Sequence, residues 1–271
     1  MYVVKVPGIN GLGKTKGCEN AGNAVIKALR SIYTNESGKE INVDKLDLEE
    51  IHLDNYNLEL ANKLIYKHSF EAYGKKPFTM FLGGDHSISY SLTKGFLDYC
   101  QNSGKEPCLI VFDAHPDCMQ PVDKNFPTHE EWLRRLIEAG FPAENILLVG
   151  IRNSWKDETE FLKKNRINVI AMDRFLENFE DSCHTIMEFV NGRELYVSLD
   201  IDIVDPVFAP STGHPEVGGL DSRQILYIVK KINQIKTLKA VDLVEINSEK
   251  EVDNNNVTVN LGAKIVGELL R

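Results

Sequence analysis

The run Leu109-Ile110-Val111-Phe112-Asp113-Ala114-His115-Pro116-Asp117 sets three metal-type ligands within five positions, directly behind four apolar residues. Such an apolar run predicts a strand buried on both faces, as in a parallel sheet. In open α/β sheets the carboxyl ends of strands are where ligands bind. Two further stretches repeat the pattern: Phe78-Thr79-Met80-Phe81-Leu82-Gly83-Gly84-Asp85-His86-Ser87, and Leu195-Tyr196-Val197-Ser198-Leu199-Asp200-Ile201-Asp202. A lone Asp-X-His is often a solvated loop; three strand ends of this kind argue against that. Adjacent strands lie roughly 5 Å apart. If these three are neighbours, His86, Asp113, His115, Asp117, Asp200 and Asp202 converge.

Four carboxylates so placed need cations. Two unit charges 4 Å apart repel by roughly 4 kcal/mol at an effective dielectric near 20. Four Asp side chains balance two divalent ions, with Asp113 and Asp200, the first ligands beyond their strands, placed to bridge. A hydroxide shared by the ions leaves the centre near −1, which suits a substrate carrying +1. The set is oxygen-rich, with two imidazoles and no thiolate. It suits Mn²⁺ better than Zn²⁺, and the imidazoles argue against Mg²⁺; Fe, Co and Ni stay open. Two such ions about 3.5–4 Å apart generate hydroxide near neutral pH. A purely structural site is the alternative, but such sites seldom keep open positions.

The elements that must position these residues alternate along the chain. Strands are expected at Tyr2–Val6, Ile41–Leu48, Phe78–Leu82, Leu109–Phe112, Ile146–Val149, Ile167–Ala171, Leu195–Leu199 and Ala240–Glu245. Helices are expected over about Ala21–Ile32, Asn57–Tyr73, Ser87–Tyr99, Phe161–Asn165, Arg174–Val190, from Asp221, and over about Val257–Leu270. Thr128 and Glu131 have capping-box spacing after a loop over Cys118–Pro127. That puts His129 in a first helical turn, where the dipole should depress its pKa. Asp253–Asn256 reads as a turn. The alternation predicts a single domain over residues 1–271, a three-layer α/β/α fold with a mainly parallel sheet of about eight strands. The loop Pro7–Gly17 contains Gly8, Gly11, Gly13 and Gly17 without GxGxxG spacing, and Lys14-Thr15 lacks a Walker pattern, so it reads as a flexible turn.

A net charge of −9 over 271 residues disfavours nucleic acid and anionic membranes as partners. The five Cys residues form no CxxC pair and read as reduced intracellular thiols. No signal-peptide pattern or membrane-length apolar run is present, so a cytoplasmic protein is expected.

Gly83-Gly84-Asp85-His86-Ser87, Asp113-Ala114-His115-Pro116-Asp117 and Ser198-Leu199-Asp200-Ile201-Asp202 together resemble the three metal motifs of the ureohydrolase family, which includes arginase, agmatinase, guanidinobutyrase and formiminoglutamase. Asp205–Gly213, Gly218–Leu220, Lys16–Gly22 and Asp242–Asn247 are also family-like, so the resemblance covers nearly the whole chain. It implies a mainly parallel eight-stranded sheet with helices on both sides. It implies two Mn²⁺ ions, one held by His86, Asp113, Asp117 and Asp200, the other by Asp113, His115, Asp200 and Asp202. Metal-bridging hydroxide would attack a guanidinium carbon, releasing urea and an amine. Glu245 matches the family glutamate that holds the guanidinium. His129 stands near the family's proton-shuttling histidine, although His-Gly is usual there and this chain has His129-Glu130. His129, Glu245 and Asp117 are thus the candidate catalytic residues, and a homo-oligomer, trimer or hexamer, is implied.

Arginase holds its substrate's amino-acid head with an Asn two positions after the second motif's last ligand; here that position is Met119. An α-carboxylate would lose a polar partner. A small cationic guanidino substrate without one, such as agmatine, is favoured. Arg152, with Asn153 and Trp155 beside it, is placed to shape substrate entry; a carboxylate bound by Arg152 would favour guanidinobutyrate or formiminoglutamate. His214 either lines the pocket or faces solvent. A deacetylase-like amide hydrolase and a catalytically silent binding protein are the other readings. The complete six-ligand set disfavours both.

Overall fold

The structure, a computed structural model, describes residues 1–122, 125–253 and 255–270. Asp123 and Lys124, in the loop expected over Cys118–Pro127, and Asn254, in the turn expected over Asp253–Asn256, lie outside the described residues. The strands are β1 (Tyr2–Lys5), β2 (Asp47–Glu50), β3 (Thr79–Leu82), β4 (Pro107–Phe112), β5 (Ile146–Ile151), β6 (Asn168–Ala171), β7 (Glu194–Asp200) and β8 (Leu238–Val244). They form one eight-stranded sheet in the order β2-β1-β3-β8-β7-β4-β5-β6. Every pairing is parallel. All carboxyl ends therefore lie along one edge.

The helices are α1 (Ala21–Leu29), α2 (Leu58–Lys75), α3 (Ile88–Asn102), α4 (Trp132–Glu138), α5 (Lys156–Asn165), α6 (Met172–Glu177), α7 (Phe179–Val190), α8 (Ser222–Asn233) and α9 (Val257–Leu269). Successive strand residues point to opposite faces, so continuous apolar strands feed two cores. Val3, Met80, Ile110 and Phe112 pack with residues of α1 and α6 to α9. Val4, Phe81, Leu109 and Val111 pack with residues of α2 to α5. This is the three-layer arrangement the alternation predicts. Among the described residues, no helix is long and apolar enough to cross a membrane.

Four local expectations are corrected. The strand expected over Ile41–Leu48 lies at Asp47–Glu50, after a 3-10 turn at Val43–Lys45. It is a largely exposed edge strand, so it carries no apolar alternation to read. The helix expected over Arg174–Val190 is two, with Asn178 (φ −136°) between them. The helix expected around His129 begins only at Trp132. Thr128 and Glu131 do pair: Glu131 Oε1 accepts from Thr128 N–H (3.1 Å), one half of a capping box, and the Thr128 hydroxyl donates to the other carboxylate oxygen. The Thr128 hydroxyl oxygen accepts from Glu130 N–H (3.3 Å), and the pair closes a turn before α4. Lastly, the three ligand-bearing strands are not consecutive: β4 and β7 are adjacent, but β8 lies between β7 and β3. His86 still reaches the others because the chain after β3 continues along the end of β8. There Gly83 N–H donates to Leu243 O (2.9 Å) and Glu245 N–H to Gly84 O (3.0 Å).

Candidate metal centre

At the common carboxyl edge, the His86 ring faces three carboxylates. Its Nδ1 lies 3.1 Å from Asp113 Oδ2, 2.9 Å from Asp117 Oδ2 and 3.2 Å from Asp200 Oδ2. His115 Nδ1 lies 2.9 Å from Asp202 Oδ2 and 3.6 Å from Asp113 Oδ1. Two ligand groups result, His86 with Asp113 and Asp117, and Asp113 with His115 and Asp202; within each, ligand atoms lie within 4.8 Å of one another. Asp113 belongs to both.

The surroundings aim these groups. Asp113 Oδ1 accepts from His115 N–H (2.6 Å), Asp200 Oδ1 from Asp202 N–H (2.8 Å) and Asp202 Oδ1 from Ala114 N–H (3.0 Å). One oxygen of each carboxylate is thus anchored to backbone. Trp132 Nε1 donates to Asp117 Oδ2 (2.8 Å). Asp117 (φ 50°) and Glu245 (φ 63°) both occupy the left-handed region. For such residues this costs on the order of 1 kcal/mol or more, a strain that recurs at functional sites.

Behind His86 lies a buried relay. His86 Nε2 is 2.9 Å from Ser198 Oγ, which donates to Asp242 Oδ1 (2.7 Å). Ser89 Oγ and Tyr196 OH also donate to Asp242. With Ser198 donating to Asp242, His86 Nε2–H donates to Ser198, and Nδ1 turns a lone pair toward three carboxylate oxygens. His86 Nδ1 and Asp113 Oδ2 are buried with no hydrogen bond of good geometry. Lone pairs facing one another in a buried site demand a cation.

The electrostatics agree. Burial and then the Asp113 charge push Asp117 up to about 8. Burial, Asp202 and Asp113 hold Asp200 well above the carboxylate range. Burial opposes protonation of His86, yet the carboxylates of Asp113, Asp117 and Asp200 facing its Nδ1 outweigh it and raise the imidazole far above its ordinary value. Burial likewise favours a neutral Asp113 carboxyl, but His115 and His86 overcome it and keep that carboxyl low. Without metal the cluster must hold protons. Two divalent ions fit the donor set and would take their place.

A cavity of ≈ 350 Å³ opens onto these residues, at the lower end of small-ligand pockets, roughly 300–1,000 Å³. His86, His115, Asp117, Asp200 and Asp202 line it together with Met119, His129, His214 and Glu245. Glu245 is buried; its Oε1 accepts from His86 N–H (2.8 Å) and its Oε2 lies 3.7 Å from Cys18 Sγ. His129 is buried and its pKa is lowered to about 4, chiefly by burial. His129 precedes α4 and does not sit in the expected first helical turn, so burial is the main cause. His214 stacks on His129 with ring centroids 5.0 Å apart. Arg152, expected to bind substrate, does not line the cavity. Its guanidinium donates to the carbonyls of Asp202 (2.6 Å), Glu216 (2.7 Å), Val217 (3.0 Å) and Gly150 (3.4 Å). It ties loops together, with four of its five N–H donors directed at backbone carbonyls.

The glycine-rich loop is not a free turn. Asp85 Oδ2 accepts from Asn10 N–H and Thr15 Oγ1, both at 2.7 Å, and brings Lys14 to the cavity. A Cβ on Gly84 would stand 1.8 Å from Gly8 O, so only glycine permits this crossing. Lys14 pairs with Glu130 at 3.1 Å. No local signal announces a contact between residues so distant in sequence. Ser198 and Asp242 did carry a signal, as polar residues inside otherwise apolar strands.

The profile of the arginase family matches residues 2–271. A mitochondrial arginase of Medicago truncatula is 33% identical over 196 residues, 70% of this chain and 54% of the relative, so the match spans about half that relative's length. An agmatinase of Bacillus subtilis (strain 168) is 30% identical over 197 residues, 72% of this chain and 64% of the relative. The solved proclavaminate amidino hydrolase from Streptomyces clavuligerus superposes with a TM-score of 0.87 at 25% identity, over 99% of this chain and 90% of that one. With its converged ligand motifs on this sheet, the chain belongs to the arginase family.

Proposed function

We propose that residues 1–271 form one catalytic domain of an agmatinase-like amidinohydrolase, which splits a small cationic guanidino substrate into urea and an amine. The observation that carries this reading is the cavity lining. Besides the metal ligands it presents Glu130, Glu158 and Glu245, against Lys14 as the one Lys or Arg among the described lining residues. Lys14 is already paired with Glu130. Met119 offers no polar partner to an amino-acid head, and Arg152 is engaged by backbone. A substrate with a positive charge at each end and no carboxylate fits such a lining.

The oxygen-rich set of His86, Asp113, His115, Asp117, Asp200 and Asp202 suits two Mn²⁺ ions. When bound, two divalent ions supply ionised water near neutral pH and a positive field at the carbon under attack. The chain's own residues do the rest. Burial, then the nearby Asp85, push the Glu245 carboxyl well above its usual range. It therefore gains most from a cationic partner, and a carboxylate orients a planar guanidinium by charge-assisted hydrogen bonds. His129, neutral at pH 7 with its pKa at about 4, accepts a proton at a ring nitrogen and passes it on to the departing amine. The family resemblance adds a homo-oligomer, trimer or hexamer, and the reduced thiols a cytoplasmic location.

The test is urea release by Mn²⁺-loaded protein from agmatine, arginine, 4-guanidinobutyrate, guanidinopropionate and guanidine, with formamide release from formiminoglutamate alongside. Agmatine should exceed arginine by at least about fivefold in kcat/KM, since the unmatched carboxylate costs on the order of 1–3 kcal/mol. Arginine or a carboxylate-bearing guanidine as best substrate would overturn the reading.

A further inference from the structure

We propose that His129, Glu130 and His214 form a separate, mononuclear transition-metal site on the cavity wall, one that takes Zn²⁺ and obstructs entry to the six-ligand cluster. Their ligand atoms all lie within 4.8 Å of one another. They come from two distant segments, the turn before α4 and the loop after Thr212, which the fold brings face to face. The rings of His129 and His214 lie 5.0 Å apart between centroids and 17° from parallel.

His129 is the second, independent observation. Its residue is 5% exposed, and neither ring nitrogen has a hydrogen bond of good geometry. Its polar neighbours are the backbone of Asn10 and Glu130 Oε1, 3.8 Å from Nε2. A buried imidazole without a hydrogen bond of good geometry is costly unless something binds it. Proton relay to a departing amine calls for a single histidine. It does not explain a second imidazole and a carboxylate gathered beside it.

Two imidazoles and one glutamate are a ligand set of zinc sites that keep a position open. It is more imidazole-rich than the set of four Asp and two His, so the two sites should prefer different ions. Lys14, 3.1 Å from Glu130 Oε1, is the resident cation that an incoming metal would displace. The rings of His115 and His214 are 6.4 Å apart between centroids, so an ion here would stand beside the cluster, in the same cavity.

The experiment uses full-length protein saturated with Mn²⁺, exchanged into metal-free buffer, titrated with Zn²⁺ and desalted, with both metals counted by mass spectrometry. One Zn²⁺ per chain should bind with Mn²⁺ retained. Glu130→Gln and His214→Asn should each lose that Zn²⁺ and keep their Mn²⁺. Lys14→Met replaces no ligand and should tighten Zn²⁺ several-fold, because the ion pair to be displaced is gone. Zn²⁺ gained only with equal loss of Mn²⁺, Zn²⁺ retained in both ligand variants, or Zn²⁺ affinity unchanged by Lys14→Met would each overturn the proposal. The Zn²⁺ count is read separately from urea release, so it stands or falls apart from the substrate assignment.

Discussion

Replacing Asp113 with Asn is expected to lower kcat/KM for urea release by more than about 10³-fold, a loss of several kcal/mol of transition-state stabilisation. Asp113 belongs to both ligand groups, so one substitution weakens two sites. Its Oδ1 accepts from His115 N–H at 2.6 Å, a bond that asparagine can keep, so the turn after β4 should survive. What changes is Oδ2, 3.1 Å from His86 Nδ1. An amide there presents hydrogens where a cation belongs and removes one of the charges that balance it. Steady-state urea release and metal content per chain are the checks. Activity and metal content like the wild type would exclude a shared ligand role for Asp113.

Glu245→Gln should cost about 10²- to 10³-fold in kcat/KM with metal content unchanged. The scale is that of removing one partner from a buried, hydrogen-bonded charge pair, roughly 2–5 kcal/mol. Gln keeps an acceptor for His86 N–H, 2.8 Å from Glu245 Oε1, so His86 should stay in place. Gly213 has no Cβ to crowd Glu245 Oε2, which a Cβ would approach to 2.7 Å; the larger amide group therefore remains accommodated. If kcat/KM were unchanged while metal content held, Glu245 would not be the residue that holds the guanidinium.

The parallel sheet and the six converging side chains were legible because the buried strands are largely apolar and stop abruptly at a charge, as at Phe112-Asp113 and Leu199-Asp200. The edge strand β2 was misplaced because half its surroundings are water, which imposes no apolar pattern on Asp47–Glu50. Strand order was not legible either. Nothing local says that β8 separates β3 from β7, yet that insertion seats Glu245 beside His86. Arg152 read as a substrate ligand because a charged side chain after a strand end invites it. Its carbonyl partners come from loops whose paths only the fold specifies. The Lys14–Glu130 pair and the meeting of His129 with His214 are likewise products of long-range closure.

The most direct measurement is a calorimetric titration of metal-free protein with Mn²⁺ at pH 8 and pH 6, with proton release followed in buffers of different ionisation enthalpy. Asp117, with its pKa near 8, and the raised imidazoles hold protons that metal must displace. Binding that releases protons weakens as proton concentration rises, so affinity should fall from pH 8 to pH 6. The expected result is two Mn²⁺ per chain, bound with proton release and more weakly at pH 6. A single ion or none per chain, or an affinity indifferent to pH, would contradict the two-metal centre.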